Sequence, residues 1–137
     1  MTLHQMGVAE LARALAGKSV SSEELTQHLL ARIEAHRSLG AFLQVDAEGG
    51  LAAARAADVR RAAGDPAPLL GIPIAHKDIF VTTAQVTTAG SKMLANYRSP
   101  FDATVVARLG DAADVLRGQG HRGEVSRSEI PAAETSG

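Results

Sequence analysis

Apolar positions recur at helical spacing along the first third of the chain. Val8, Leu11, Ala12 and Leu15 fall at i, i+3, i+4 and i+7, one face of a short helix, and Gly17 stands where that helix would end. The next helix is marked by its start. Ser21 and Glu24 have the spacing of a capping box, and Val20 and Leu25 take the N′ and N4 places of a hydrophobic staple. Leu25, Leu29 and Ile33 then stack at i+4 steps towards His36. Two amphipathic helices joined by Lys18 to Ser22 predict a hairpin able to lie on a larger body. Ala41 to Val45 reads as a short strand, with Asp46 as the cap of a third helix. Gly49 and Gly50 weaken the first turn of that helix; the alanine-rich remainder, Leu51 to Ala63, is stopped by Gly64-Asp65-Pro66.

The pattern then changes from helical to extended. Leu69 to Ala75 is a continuous apolar run bounded by polar turns, too short for a helix, and predicts a buried strand. Pro73 inside it removes one ladder donor, which argues for an edge position or a bulge there. The run breaks at Lys77-Asp78, and a shorter one, Ile79 to Val81, leads into a threonine-rich loop closed by Gly90-Ser91. Ser91 to Tyr97 predicts one or two helical turns, ended by Arg98-Ser99-Pro100. Asp102 is placed to cap a last helix whose buried face is Val105, Leu109, Ala112 and Leu116. From Arg117 no period remains. Glycines alternate with Arg, Glu, Ser and Gln, and Val125 and Ile130 are the only large apolar residues, the composition of a disordered tail.

Composition narrows the classes. Apolar residues make up 45% of the 137, enough for one core, but aromatics are 3%, so alanine carries much of that core and the packing is shallow. A net charge of −1 leaves no basic excess for direct nucleic-acid binding. The absence of cysteine excludes a disulfide framework and thiolate chemistry and fits a cytoplasmic setting. No apolar run is long enough to span a membrane, and the start lacks a signal-peptide pattern.

Several motifs fail on context. Gly118-Gln119-Gly120-His121-Arg122-Gly123 spells a dinucleotide fingerprint, but it follows a predicted helix and opens none. Gly90-Ser91-Lys92 resembles the end of a phosphate loop, yet Gln85 stands where the first glycine is needed. His4, His28, His36, His76 and His121 include no i, i+4 pair and no acid at metal-ligand spacing, so no metal site is expected. Lys77 keeps two readings. It is either part of a strand-exit turn whose charges reach water, or a lysine at the rim of a core, where partial desolvation favours the neutral amine and makes a base. Ser91 likewise either aims a hydroxyl and backbone N–H groups at an anion or a neighbouring loop, or simply belongs to a loop pinned by threonine hydroxyls.

Three segments in order carry a resemblance: Gly71-Ile72-Pro73-Ile74-Ala75-His76-Lys77-Asp78, Thr87-Thr88-Ala89-Gly90-Ser91, and Ser99-Pro100-Phe101-Asp102-Ala103-Thr104-Val105-Val106. Together they are similar to the amidase signature family, and within it to the glutaminase subunits of the glutamyl-tRNA(Gln) amidotransferases. The resemblance runs from near the start to about Leu116. It implies an α/β fold: the N-terminal part of the amidase signature fold, with a helical hairpin followed by strands of a mixed sheet and flanking helices. Lys77 matches the family's catalytic lysine, and Thr87, Thr88, Gly90 and Ser91 match a loop that supports the active site. The family's lysine works with a bridging serine and a nucleophilic serine from a later Gly-Ser-rich segment that is not found here. Ser126, Ser128 and Ser136 lack the flanking glycines. No cofactor is implied in this chain; ATP and Mg²⁺ act in the family's partner subunit. The implied partners are the other amidotransferase subunits and, through them, Glu-tRNA(Gln). Glutamine is the implied substrate of the intact subunit, with no membrane involvement.

The expected organisation is therefore a truncated amidase-signature domain over residues 1–116 and a non-homologous, disordered tail over 117–137. The expected function is that of an inactive, shortened glutaminase subunit, cytoplasmic, whose intact form releases ammonia from glutamine to convert Glu-tRNA(Gln) to Gln-tRNA(Gln). The alternative is a stand-alone, non-catalytic interaction module that docks through its helical hairpin.

Overall fold

The capping box forms as its spacing predicts. In the computed structural model, which describes residues 2–77, 80–83, 86–89, 91–111 and 115–120, Glu24 N–H donates to Ser21 Oγ at 3.0 Å and Ser21 N–H donates to Glu24 Oε2 at 2.9 Å. Helix α2, Ser22–Ala35, starts there, and the staple residues Val20 and Leu25 are both buried. The preceding helix α1, Val8–Ala16, ends at Gly17, but Gly17 has an ordinary helical φ. The left-handed turn falls on Lys18, with φ 59°. Lys18 N–H bonds Leu15 O and Ser19 N–H bonds Ala14 O, the paired closure of a Schellman motif with lysine where glycine is usual.

Leu11, Leu15, Val20 and Leu25 from this hairpin close over Ile72 and form the main core. A one-turn 3-10 helix, Leu3–Gln5, packs on α2, with Leu3 and Met6 partly buried against the same cluster.

Strand β1, Phe42–Val45, leads into helix α3, Ala47–Ala62. Asp46 caps α3 by accepting from Gly49 N–H at 2.9 Å. The two glycines lie inside the helix instead of delaying it. A Cβ on Gly49 would overlap the capping carboxylate, so another residue there has to displace the Asp46 side chain. The buried face of α3 is small: Gly50, Ala54 and Ala57. That face lets α3 approach α2 and cover Leu70 closely, which is the use of the alanine-rich sequence.

Polar groups fix the same junction. The Asp58 carboxylate on α3 accepts Ser22 N–H at 2.7 Å and Glu23 N–H at 3.1 Å, capping α2 from outside. Arg61 bonds both Asp58 and the carbonyl of Leu70. The Ser22 hydroxyl donates to Gly71 O at 2.7 Å in a fully buried contact. Gly71 has φ +81°, and a Cβ on it would stand 2.8 Å from Ser22 Cβ, so both conformation and space demand glycine.

The expected strand over Leu69 to Ala75 is displaced. Residues up to Gly71 form a turn that buries Leu70, and the strand, β2, is Pro73–Lys77. Pro73 is its first residue, β2 lies at an edge of the described sheet, and the register slips between Ile74 and Ala75. Both consequences argued from the proline are thus present.

Helix α4, Thr104–Asp111, is shorter than expected. Val106 is its buried residue and Val105 is exposed, one position out from the predicted face. The chain then forms β3, Val115–Gly120, the central strand of a sheet ordered β1-β3-β2. It pairs antiparallel with β1 and parallel with β2, giving a mixed sheet. Leu116 belongs to this strand and not to a helix, and the expected disordered tail from Arg117 is corrected for residues 117–120. Strand pairing is made by backbone groups, which glycine also carries, so the low apolar content there does not exclude a strand. Residues 121–137 lie outside the described residues, as do Ala112 and Gly90. No helix among the described residues is long and apolar enough to cross a membrane.

Between α2 and the sheet runs an open groove of about 1100 Å³, walled by Leu29, Ile33, Leu39, Phe42, Val45 and Ile74. Thr26 sits in its wall with its hydroxyl buried and unpartnered among the described residues.

Candidate active site

Lys77 is the last residue of β2, where its backbone pairs in register with Gly120 of β3. The turn at Gly71, held by Ser22 and Arg61, sets where β2 begins and hence which residue ends it. A charged residue at a strand's C-terminal end in an α/β sheet stands at the usual edge for ligands. Asp78 lies outside the described residues.

The chain leaving β2 is fastened to the start of α4. Ala103 N–H donates to Val81 O at 2.7 Å. Asp102 Oδ1 accepts Thr83 N–H at 2.7 Å and the Thr83 hydroxyl at 3.2 Å. Arg98 reaches Thr83 O at 3.1 Å. Asp102 is therefore a clamp on the threonine loop and not the cap expected for α4, whose first bond runs from Ala107 N–H to Ala103 O. The Thr83 N–H holds the Asp102 carboxyl below its usual range, helped by the Thr82 and Thr83 hydroxyls and opposed by desolvation.

Thr82 and Thr87 are buried polar residues on this loop. Thr87 N–H donates to Tyr97 O at 3.0 Å, and its hydroxyl lies 3.4 Å from Phe80 O. Thr88 O accepts Ser91 N–H at 2.8 Å. The Ser91 hydroxyl accepts Met93 N–H at 3.2 Å, capping the 3-10 turn Lys92–Leu94 that the sequence anticipates between Ser91 and Tyr97. Thr87 is thus tied to Tyr97 and Thr83 to Asp102, Thr88 and Ser91 bond each other, and the Thr83 and Thr87 hydroxyls pin the loop. Among the described residues no group of three His, Cys, Asp or Glu side chains could hold a metal ion.

Two sets of contacts that hold the surroundings of the candidate site give little sign of themselves in the sequence. Asp102 is visible inside Phe-Asp-Ala-Thr, but a helix-capping position masks its use. Asp58 and Arg61 form an i, i+3 pair on α3, an ordinary surface pattern that gives no sign of the contacts to α2 and Leu70.

The amidase family model matches residues 24–126 of this chain. The chain belongs to the amidase family. The match extends past Leu116 and takes in β3, so the likeness does not stop at α4, as the resemblance had suggested. The glutamyl-tRNA(Gln) amidotransferase A-type subunit from Cupriavidus necator is 63% identical over 110 residues, covering 80% of this chain and 22% of that protein. The corresponding protein of Burkholderia thailandensis is 57% identical over 117 residues, covering 85% and 24%. The crystal structure of the native peptide amidase of Stenotrophomonas maltophilia superposes with a TM-score of 0.78 at 34% identity, over 85% of this chain and 24% of that one. This chain therefore spans about a quarter of the length of these relatives or less.

Proposed function

We propose that this chain carries the lysine-bearing portion of a glutaminase subunit of glutamyl-tRNA(Gln) amidotransferase. The observation that carries the reading is Lys77 at the end of β2, inside a segment 63% identical over 110 residues to such a protein. In the reaction, neutral Lys77 takes a proton from a bridging serine, which takes one from a nucleophilic serine. The nucleophile attacks the glutamine side-chain carbonyl, the relay returns its proton to the amide nitrogen, and the C–N bond breaks to release ammonia and leave an acyl ester. Water then cleaves the acyl ester to give glutamate. The clamped loop from Thr87 to Ser91 supports the site. Ammonia passes to a partner subunit that uses ATP and Mg²⁺ on Glu-tRNA(Gln).

The two serines of that relay have no match in these 137 residues. We accordingly propose that the 137-residue polypeptide by itself releases no ammonia from glutamine and that Lys77→Ala changes nothing in it. The test is a chimera in which this segment replaces the matched 110 residues of the Cupriavidus necator protein. The chimera should release ammonia from glutamine, and Lys77→Ala should reduce the rate on the order of 10²–10⁴-fold, the range for loss of a general base. An inactive but folded chimera, or one indifferent to Lys77→Ala, sinks the reading.

A non-catalytic docking role is the second reading. It is favoured by the open apolar groove and by the exposure of Met93 and Phe101.

A further inference from the structure

Two histidines far apart in sequence meet on the hairpin. His4 Nδ1 lies 2.9 Å from His28 Nε2, and the ring planes are within 16° of parallel with centroids 5.2 Å apart. His4 belongs to the 3-10 turn Leu3–Gln5 and His28 to the middle of α2. A nitrogen–nitrogen hydrogen bond needs one donor and one acceptor, so it survives with both rings neutral or one protonated. It is lost when both are charged, because two imidazoliums have only donors. We propose that the His4–His28 pair is a proton-operated latch that holds the N-terminal segment, residues 2–7, on α2 and releases it in acid.

The surroundings favour release on protonation. From α2, Arg32 and His36 also face His4, and both oppose charge on it. Glu24, one turn before His28, is engaged with Ser21 N–H. On the segment itself, Gln5 is occupied by the Thr2 hydroxyl. Desolvation, followed by Arg32, His28 and His36, holds His4 below the usual histidine value. A depressed histidine stabilises the docked form fully above its unfolded value of 6.5 and loses that contribution as the pH falls through the docked value. Leu3 and Met6 pack on the hairpin core, so opening the latch uncovers apolar surface on α1 and α2.

Amide hydrogen exchange of the 137-residue chain tests this, after correction for intrinsic rates, at about pH 7.5 and about pH 5, on either side of the ordinary histidine value. Gln5 and Met6 N–H, bonded to Thr2 O and Leu3 O, should be protected at the higher pH and lose most of that protection at the lower. His28→Gln keeps an uncharged side chain that can donate or accept, and should hold protection at both. Equal protection of Gln5 and Met6 at both pH values, or none at either, would overturn the proposal. So would an unchanged acid loss in His28→Gln. Loss spreading through α2 would overturn it too, since a latch frees only the segment it holds.

Discussion

At Lys18 and Gly71 the backbone takes a positive φ, 59° and 81°, with different residues. Lys18 has φ 59° and carries a Cβ, a conformation that costs about 1–2 kcal/mol outside glycine. Lys18→Gly should therefore stabilise the chain by about 1 kcal/mol, less the glycine's extra entropy, read as a rise in urea midpoint at constant slope. Gly71→Ala should do the reverse and more, because the new methyl meets Ser22 as well as the strained φ. A loss of about 2 kcal/mol or more is expected, with the Ser22–Gly71 contact opened. Asp102 gives a pH-dependent case. Its folded value is depressed below 3.8, so its contribution to loop order is complete above 3.8 and falls away as pH drops through the folded value. Chemical-shift titration should show Thr83 N–H following that carboxyl, and in Asp102→Asn the acid-side change at Thr83 should vanish.

At the scale of elements, legibility tracked whether the signal was local. The start of α2 was readable because all four participants lie within six residues, Val20 to Leu25. Ser21→Ala should remove about 1 kcal/mol, seen in denaturant unfolding, with α2 fraying first at its N-terminus. Asp46 is readable as a cap for the same reason, its partner Gly49 lying three residues on. Elements defined by partners distant in sequence were not. The strand β2 was placed too early because Leu69 and Leu70 satisfy an apolar run equally well from a turn. β3 was missed altogether, because Val115, Leu116 and the glycines after them carry no alternation and the preceding helix pattern runs on through Leu116. Asp58, whose bonds cross to the α2 backbone, looked like any charge on the outside of α3. The candidate site follows the same rule: Lys77 is singled out by its neighbours in sequence, whereas the clamp from Asp102 to Thr83 spans 19 residues.

At the scale of the whole molecule, the exposed apolar surface is the dominant feature. Met93 is 95% exposed and Phe101 62%, and the groove beside α2 is open. Surface of this kind draws partners or other copies. Sedimentation of the 137-residue chain should show association that grows with concentration, and a monodisperse monomer at high concentration would count against it. The strand order has a separate consequence, for synthesis on the ribosome. β1 and β2 are made early, yet among the described residues both pair with β3 alone, whose residues come last of those described. The hairpin and α3 can settle as soon as they emerge, but until Gly120 is translated the sheet is two strands with no one to pair with. Nascent chains halted after Asp111 should therefore show protected helices and unprotected strands, and lengthening them through Gly120 should switch on both ladders together.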